Sequence, residues 1–110
     1  MLEWGSGDSS LWFRANMQKD QLLVSVENDK RYADRTGAIH IPFNSGRNAT
    51  TGEEELLPGW EEYVNAPFKL ANTRFDVILV DGVVRTECML AAKKLLKTGG
   101  KQYRPVMLRV

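Results

Sequence analysis

The sequence predicts a single α/β domain organised around a mostly parallel β-sheet. Three observations carry that expectation. The chain has 110 residues, the length of one small domain. Short apolar runs alternate with amphipathic stretches, the order expected of strands linked by helices. One run, Phe75-Asp76-Val77-Ile78-Leu79-Val80, is almost continuously apolar, as befits a central strand covered on both faces. Hydrophobic residues make up 43%, charged residues 26% and aromatics 9%, a globular composition that excludes collagen-like and wholly disordered chains.

The elements follow in order. Met1-Leu2-Glu3-Trp4 reads as a first strand. Ser9 or Ser10 is placed to cap a helix running to about Lys19, with Leu11, Trp12 and Ala15 on one face. Leu22-Leu23-Val24-Ser25-Val26 reads as a second strand, Asp29 to Arg35 as a short helix, and Ala38-Ile39-His40-Ile41 as a third strand. Asn44 to Gly52 is a turn-rich insertion, and Pro58-Gly59 a break before a short amphipathic helix carrying Trp60, Tyr63 and Val64. Beyond the central strand, Cys88, Ala91, Ala92, Leu95 and Leu96 recur at helical spacing from Arg85 to Lys97, and Gly99-Gly100 supplies the stop. Arg104 to Val110 alternates weakly and suits an edge strand.

Fifteen basic against fourteen acidic residues leave a net charge of +1, so no global field draws the chain to nucleic acid. The acids cluster at Glu53, Glu54, Glu55, Glu61 and Glu62, and after Glu87 only bases follow; the basic stretch suits a solvated helix end. No apolar run approaches the ~20 residues of a membrane span, and the N-terminus has no secretory pattern. One cysteine, Cys88, forms no internal disulfide and fits a reducing, cytoplasmic setting; its helical spacing makes it a buried thiol. The single histidine, His40, falls within an apolar run and suits a hydrogen-bonded structural role. No His or Cys spacing suits a metal. Asn48-Ala49-Thr50 matches a glycosylation sequon by chance. Trp12 is expected in the core, while the place of Trp4 stays open.

The segment Glu3-Trp4-Gly5-Ser6-Gly7-Asp8-Ser9-Ser10 joins the first strand to the first helix. Glycines there let the backbone turn tightly and approach a ligand. Glu27 ends the second strand, twenty positions beyond Gly7, where a doubly wound fold places a carboxylate for ribose hydroxyls. A second role for Glu27, as an acid at the N-terminus of the following helix, stands beside it. Asp81 leaves the end of the central strand. There it can orient a substrate, act as a base, bind a metal, cap the next helix, or pair with Arg85.

These motifs resemble class I S-adenosylmethionine-dependent methyltransferases. Glu3-Trp4-Gly5-Ser6-Gly7 resembles the family's acid and G-x-G loop, Ser25-Val26-Glu27 its second strand end, Val80-Asp81-Gly82 its fourth, and Leu96-Lys97-Thr98-Gly99-Gly100 its following turn. The resemblance covers roughly residues 1 to 100 and points to a branch of the family without an assigned substrate. It implies a Rossmann-like three-layer sandwich, with residues 1–110 forming part of a cofactor-binding domain and supplying about five of the usual seven strands. It departs from the family at the third small position of the loop, Ser9 or Ser10, at Asn44 where an aspartate is common, and at the polar Lys101-Gln102-Tyr103-Arg104-Pro105.

By resemblance, S-adenosylmethionine is the cofactor. Glu3, Trp4, Gly5, Ser6, Gly7 and Ser9 line its methionine and ribose parts, Glu27 takes the ribose hydroxyls, Asn28 lies beside adenine, and Asp81 works near an acceptor that the sequence does not identify. Two rivals stay open: a nicotinamide-dependent oxidoreductase, since Gly5-x-Gly7-x-x-Ser10 is one residue from that fingerprint, and a non-catalytic remnant serving as an interaction module. A shortened sheet also implies poor catalysis and self-association through the edge at Pro105 to Val110.

Overall fold

The computed structural model describes residues 1–19, 21–43, 46–47, 49–69 and 74–103. The expected last strand at Arg104 to Val110, together with Asn44 and the Asn48 sequon position, lies outside the described residues. The elements are β1 (Leu2–Trp4), α1 (Asp8–Asn16), β2 (Val24–Glu27), α2 (Lys30–Thr36), β3 (Ile39–His40), β4 (Gly46–Arg47), β5 (Glu54–Glu55), α3 (Trp60–Asn65) followed by a 3-10 turn (Ala66–Lys69), β6 (Phe75–Val80), α4 (Arg85–Leu95) and β7 (Leu96–Tyr103).

Five strands form one all-parallel sheet in the order β3-β2-β1-β6-β7. The chain winds outward from β1 through β2 to β3, then returns to the opposite side of β1 to lay down β6 and β7. The direction of winding therefore reverses between β1 and β6, and a crevice opens at their carboxyl ends. This is the Rossmann-like α/β architecture that the sequence implied. No helix among the described residues is long and apolar enough to cross a membrane.

Period-two alternation separates the two faces of the sheet. Leu2 and Trp4 of β1, Val24 and Val26 of β2, and Ile78 and Val80 of β6 join Tyr63, Val64, Cys88, Ala92 and Leu95 in the main core, beneath α3 and α4. The Trp4 indole is fully buried there, and its Nε1 donates to the Tyr63 carbonyl at 3.2 Å. Phe43 meets Tyr63 edge to face, with ring centroids 5.1 Å apart. The expected burial of Cys88 holds.

The other face is different in kind. Glu3 of β1 stands beside Ser25 of β2 in the parallel register, so the sheet presents a carboxylate and a hydroxyl to α1. That polarity sets the orientation of the helix. Ser10 is buried against it and the Arg14 guanidinium reaches Ser25 Oγ at 3.5 Å, while Leu11 and Ala15 are exposed and Trp12 is 62% exposed. The expectation that Leu11, Trp12 and Ala15 face the core is thereby corrected. Trp4, not Trp12, is the core tryptophan.

Boundaries shift for identifiable reasons. Helix α1 starts at Asp8, with Gly7 as N-cap; Ser9 and Ser10 lie inside its first turn, and Ser10 helps to cap it from there, its hydroxyl accepting the Gly7 amide at 3.0 Å. It ends at Asn16, short of Lys19, where Asn16 Nδ2 donates to the Trp12 carbonyl at 2.8 Å. Helix α4 stops at Leu95, before Gly99-Gly100. Leu96 pairs with Phe75 and Lys101 with Val77, so the glycines fall within a bulge of β7 rather than at a helix stop. The insertion after β3 contains a small antiparallel ladder, Gly46 opposite Glu55 and Arg47 opposite Glu54.

Candidate functional site

A cavity of about 680 Å³ opens at the carboxyl ends of β1, β2 and β6, within the size range of small-molecule sites. Its wall takes Gly5 and Ser6 from the β1–α1 loop, Glu27, Asn28 and Asp29 from the end of β2, and Asp81, Gly82, Val83 and Arg85 from the β6–α4 junction. Tyr32 of α2 and Gly46 of β4 complete it. The expected residues Gly5, Ser6, Glu27, Asn28 and Asp81 therefore meet around one space. Glu3, Trp4, Gly7 and Ser9 do not line it.

Glu27 is only 6% exposed, and its carboxylate links two loops. Oε1 accepts the Ser6 amide at 2.8 Å and the Ser6 hydroxyl at 3.2 Å, and Oε2 accepts the Asp29 amide at 2.8 Å. A carboxylate has about four acceptor positions, so three bonds leave roughly one open. The Ser6 hydroxyl bond is the longest of the three and the easiest to exchange for another hydroxyl. Glu27 lines the cavity and, through the Asp29 amide, braces the entry to α2, the role of an acid at the start of that helix. Asp29 is the N-cap of α2, accepting the Arg31 amide at 2.9 Å. The Arg31 side chain and backbone bonds hold the Asp29 carboxyl down at about 2.

Asn28 Nδ2 donates to the Phe43 carbonyl at 3.2 Å, and His40 Nε2 lies 3.2 Å from the Asn28 carbonyl oxygen. That contact gives His40 the hydrogen-bonded structural role expected of it.

Glu3 sits below the cavity, fully buried between the sheet and α1. Oε1 accepts from Ser25 Oγ at 2.6 Å, whereas Oε2 has no hydrogen-bond partner. Burial pushes its carboxyl above the usual range, opposed by the neighbouring Ser10 and Ser25 hydroxyls and by the charge of Arg14.

The β1 and β6 loops touch through backbone alone. Gly5 has φ +91°, and a Cβ built on it would lie 2.6 Å from the Gly82 nitrogen. A Cβ on Gly7 would meet nothing within 4 Å, so the fold itself leaves room there. At the other junction, Val84 is a β-branched residue at φ 47°, ψ 49°, the only non-glycine at positive φ among the described residues. This tight corner begins α4 and directs Arg85 at the cavity. Arg85 Nε donates to the Gly82 carbonyl at 3.0 Å, and its NH2 lies 3.8 Å from Asp81 Oδ1. The Asp81 amide in turn donates to the Trp4 carbonyl at 2.8 Å, which fixes the strand end.

Arg85 was visible in the sequence only as a neighbour of Asp81, and Tyr32 carried no signal at all. No group of His, Cys, Asp and Glu suited to a metal occurs among the described residues. The fold and site thus define an α/β domain with an acid-lined cavity at its crossover point. No protein-family model matches the chain, and neither a curated protein nor a solved structure matches it.

Proposed function

We propose that this chain is the cofactor-binding part of an S-adenosylmethionine-dependent methyltransferase. The observation that carries the reading is the carboxylate lining of the crossover cavity, Glu27 and Asp29 at the β2 end and Asp81 at the β6 end. Such a lining suits a cationic, hydroxyl-rich ligand, and it disfavours a dinucleotide whose pyrophosphate would meet those acids. One detail fits the same group. The open space beside Gly7 leaves the loop clear for close approach.

When bound, the cofactor supplies an electrophilic methyl group on a sulfonium centre. The chain's own part is positioning. Glu27 accepts ribose hydroxyls by releasing the Ser6 hydroxyl, Asn28 borders the base, and Gly5 and Ser6 form the floor. Asp81, half-buried at the strand end, receives a proton from the acceptor or orients it. Alignment of this kind is worth effective molarities of about 10⁵ M or more, so positioning by these residues supplies much of the rate. The buried Cys88 is in keeping with a reducing, cytoplasmic setting, and we place the protein there.

Isothermal titration of the full chain with S-adenosylhomocysteine and with NADH tests the reading. Binding of the first and not the second is expected. Heat from NADH alone would overturn it.

A further inference from the structure

We propose that the second ligand of this cavity, the methyl acceptor, carries an oxyanion (a carboxylate or a phosphate) held by Arg85. The proposal rests on the methyltransferase reading and extends it to a substrate class.

Charge is unevenly committed around the cavity. At the β2 end, Glu27 is engaged by the Ser6 and Asp29 amides, and Asp29 is matched by Arg31 through Nε at 3.2 Å and NH2 at 2.9 Å. At the β6 end stands Arg85, the one cation among the described lining residues. A guanidinium has five donors in a fixed fork. Among the described residues Arg85 makes one hydrogen bond, from Nε to the Gly82 carbonyl. That bond fixes the plane of the group and leaves both terminal nitrogens without a hydrogen bond to any described residue, with only the longer ion pair to Asp81 on NH2.

Two simpler accounts of Arg85 fall short. The first is an ion pair with Asp81. The separation of 3.8 Å is beyond hydrogen-bond reach, so the two groups attract without a directed bond that would fix the guanidinium on Asp81. The second is stabilisation of α4. Arg85 stands in the first turn of that helix, where the dipole disfavours a cation, so the helix gains nothing from it. Its side chain is 36% exposed, a partly desolvated cation on a cavity wall. Such a fork matches a carboxylate or phosphate edge and gives a neutral acceptor no comparable hold.

The test uses the ¹⁵N-labelled full chain, reading Arg85 Nε–H and the Gly82 and Val83 amides by NMR. The probes are 3-hydroxybenzoate, inorganic phosphate and neutral 3-hydroxybenzamide, each titrated with and without saturating S-adenosylhomocysteine. Saturable shifts from at least one anion in both states are expected, with none from the amide. Which anion binds distinguishes the carboxylate from the phosphate source. Arg85→Gln is expected to weaken that binding about tenfold or more while leaving S-adenosylhomocysteine affinity unchanged. Circular dichroism confirms that the variant is folded, and Arg85→Lys restores part of the binding.

The proposal is overturned by no saturable shift from either anion, by equal shifts from the amide, or by undiminished binding in Arg85→Gln. It is also overturned if S-adenosylhomocysteine abolishes anion binding and Arg85→Gln weakens that ligand too, since Arg85 then holds the cofactor's own carboxylate. If S-adenosylhomocysteine fails to bind while an anion still shifts Arg85, the oxyanion site stands and the methyltransferase reading falls.

Discussion

Gly5 and Gly82 pack backbone against backbone across the crossover point of the sheet. A Cβ on Gly5 would stand 2.6 Å from the Gly82 nitrogen, and one on Gly82 would collide with Tyr63 Oη. This contact closes the floor of the cavity and brings the β1 loop, which holds Ser6, against the β6 loop, which holds Asp81. Alanine at Gly5 forces the loops apart and its positive φ adds strain, while alanine at Gly82 drives its Cβ into the buried Tyr63 hydroxyl. Each variant is expected to lose about 1–3 kcal/mol. Thermal denaturation checks this, with a fall in Tm of roughly 4 °C or more for each kcal/mol lost. Gly7→Ala is the contrast: its Cβ meets nothing, so it is expected to cost under about 1 kcal/mol, the ordinary N-cap preference.

Glu27 carries two loads, and its removal is expected to show both. Glu27→Ala leaves the Ser6 and Asp29 amides without their acceptor in a part-buried setting, a cost of about 1–3 kcal/mol. It also removes the proposed ribose contacts, with a loss of about tenfold or more in S-adenosylhomocysteine affinity. Calorimetric titration well below the variant's Tm separates the two effects. A lowered Tm with unchanged affinity assigns Glu27 to the loops alone.

Four of the five strands were legible because they are short apolar runs whose order leaves few topologies, and Phe75–Val80 declared itself as central; β7 was not, since Leu96 and Lys97 continue the helical spacing of α4 and Gly99-Gly100 reads as its stop. Half of the site was legible for the same reason: Gly5, Ser6, Glu27, Asn28 and Asp81 all follow strand ends. Arg85 and Tyr32 reach the cavity from the early turns of α4 and α2, and no local pattern marks a helical residue that topology brings to a strand end. The orientation of α1 was illegible too. It depends on Glu3 and Ser25 standing side by side in separate strands, a cross-strand pairing that helix periodicity does not encode. The two-residue strands β4 and β5 are too short to show any period.

Glu3 makes stability depend on pH in an unusual direction for an acid. Its carboxyl is raised in the folded state by burial, so folded chains hold that proton more tightly than unfolded ones. Stability from this group is therefore full below the ordinary carboxylate value of about 4.3 and declines as pH rises toward the raised value. Glu3→Gln removes the charge and keeps an oxygen for Ser25 Oγ. The variant is expected to match or exceed the parent in Tm near neutral pH and to lose that advantage near about pH 4. Denaturation of both proteins across that range decides. A Glu3→Gln variant destabilised at neutral pH but not in acid shows instead that Arg14 and the two serines over-compensate the burial.

The two tryptophans nearest the N-terminus test the assignment of faces. Trp4 fills the main core with its Nε1 on the Tyr63 carbonyl, whereas Trp12 projects from α1 at 62% exposure, in edge contact with Phe13. Trp4→Ala opens a large cavity beneath α3 and α4 and is expected to cost about 3–5 kcal/mol, enough to unfold a marginal domain. Trp4→Phe keeps most of the volume but removes the indole N–H that donates to the Tyr63 carbonyl, at a cost of about 0.5–1.5 kcal/mol. Trp12→Ser is expected to change stability by no more than about 0.5 kcal/mol, as for other surface positions. Urea denaturation of the three variants is the measurement. If α1 instead packed its apolar residues inward, as its sequence spacing alone suggests, Trp12→Ser would cost as much as Trp4→Phe or more, and the polar seam of Glu3, Ser25 and Arg14 would not be what orients the helix.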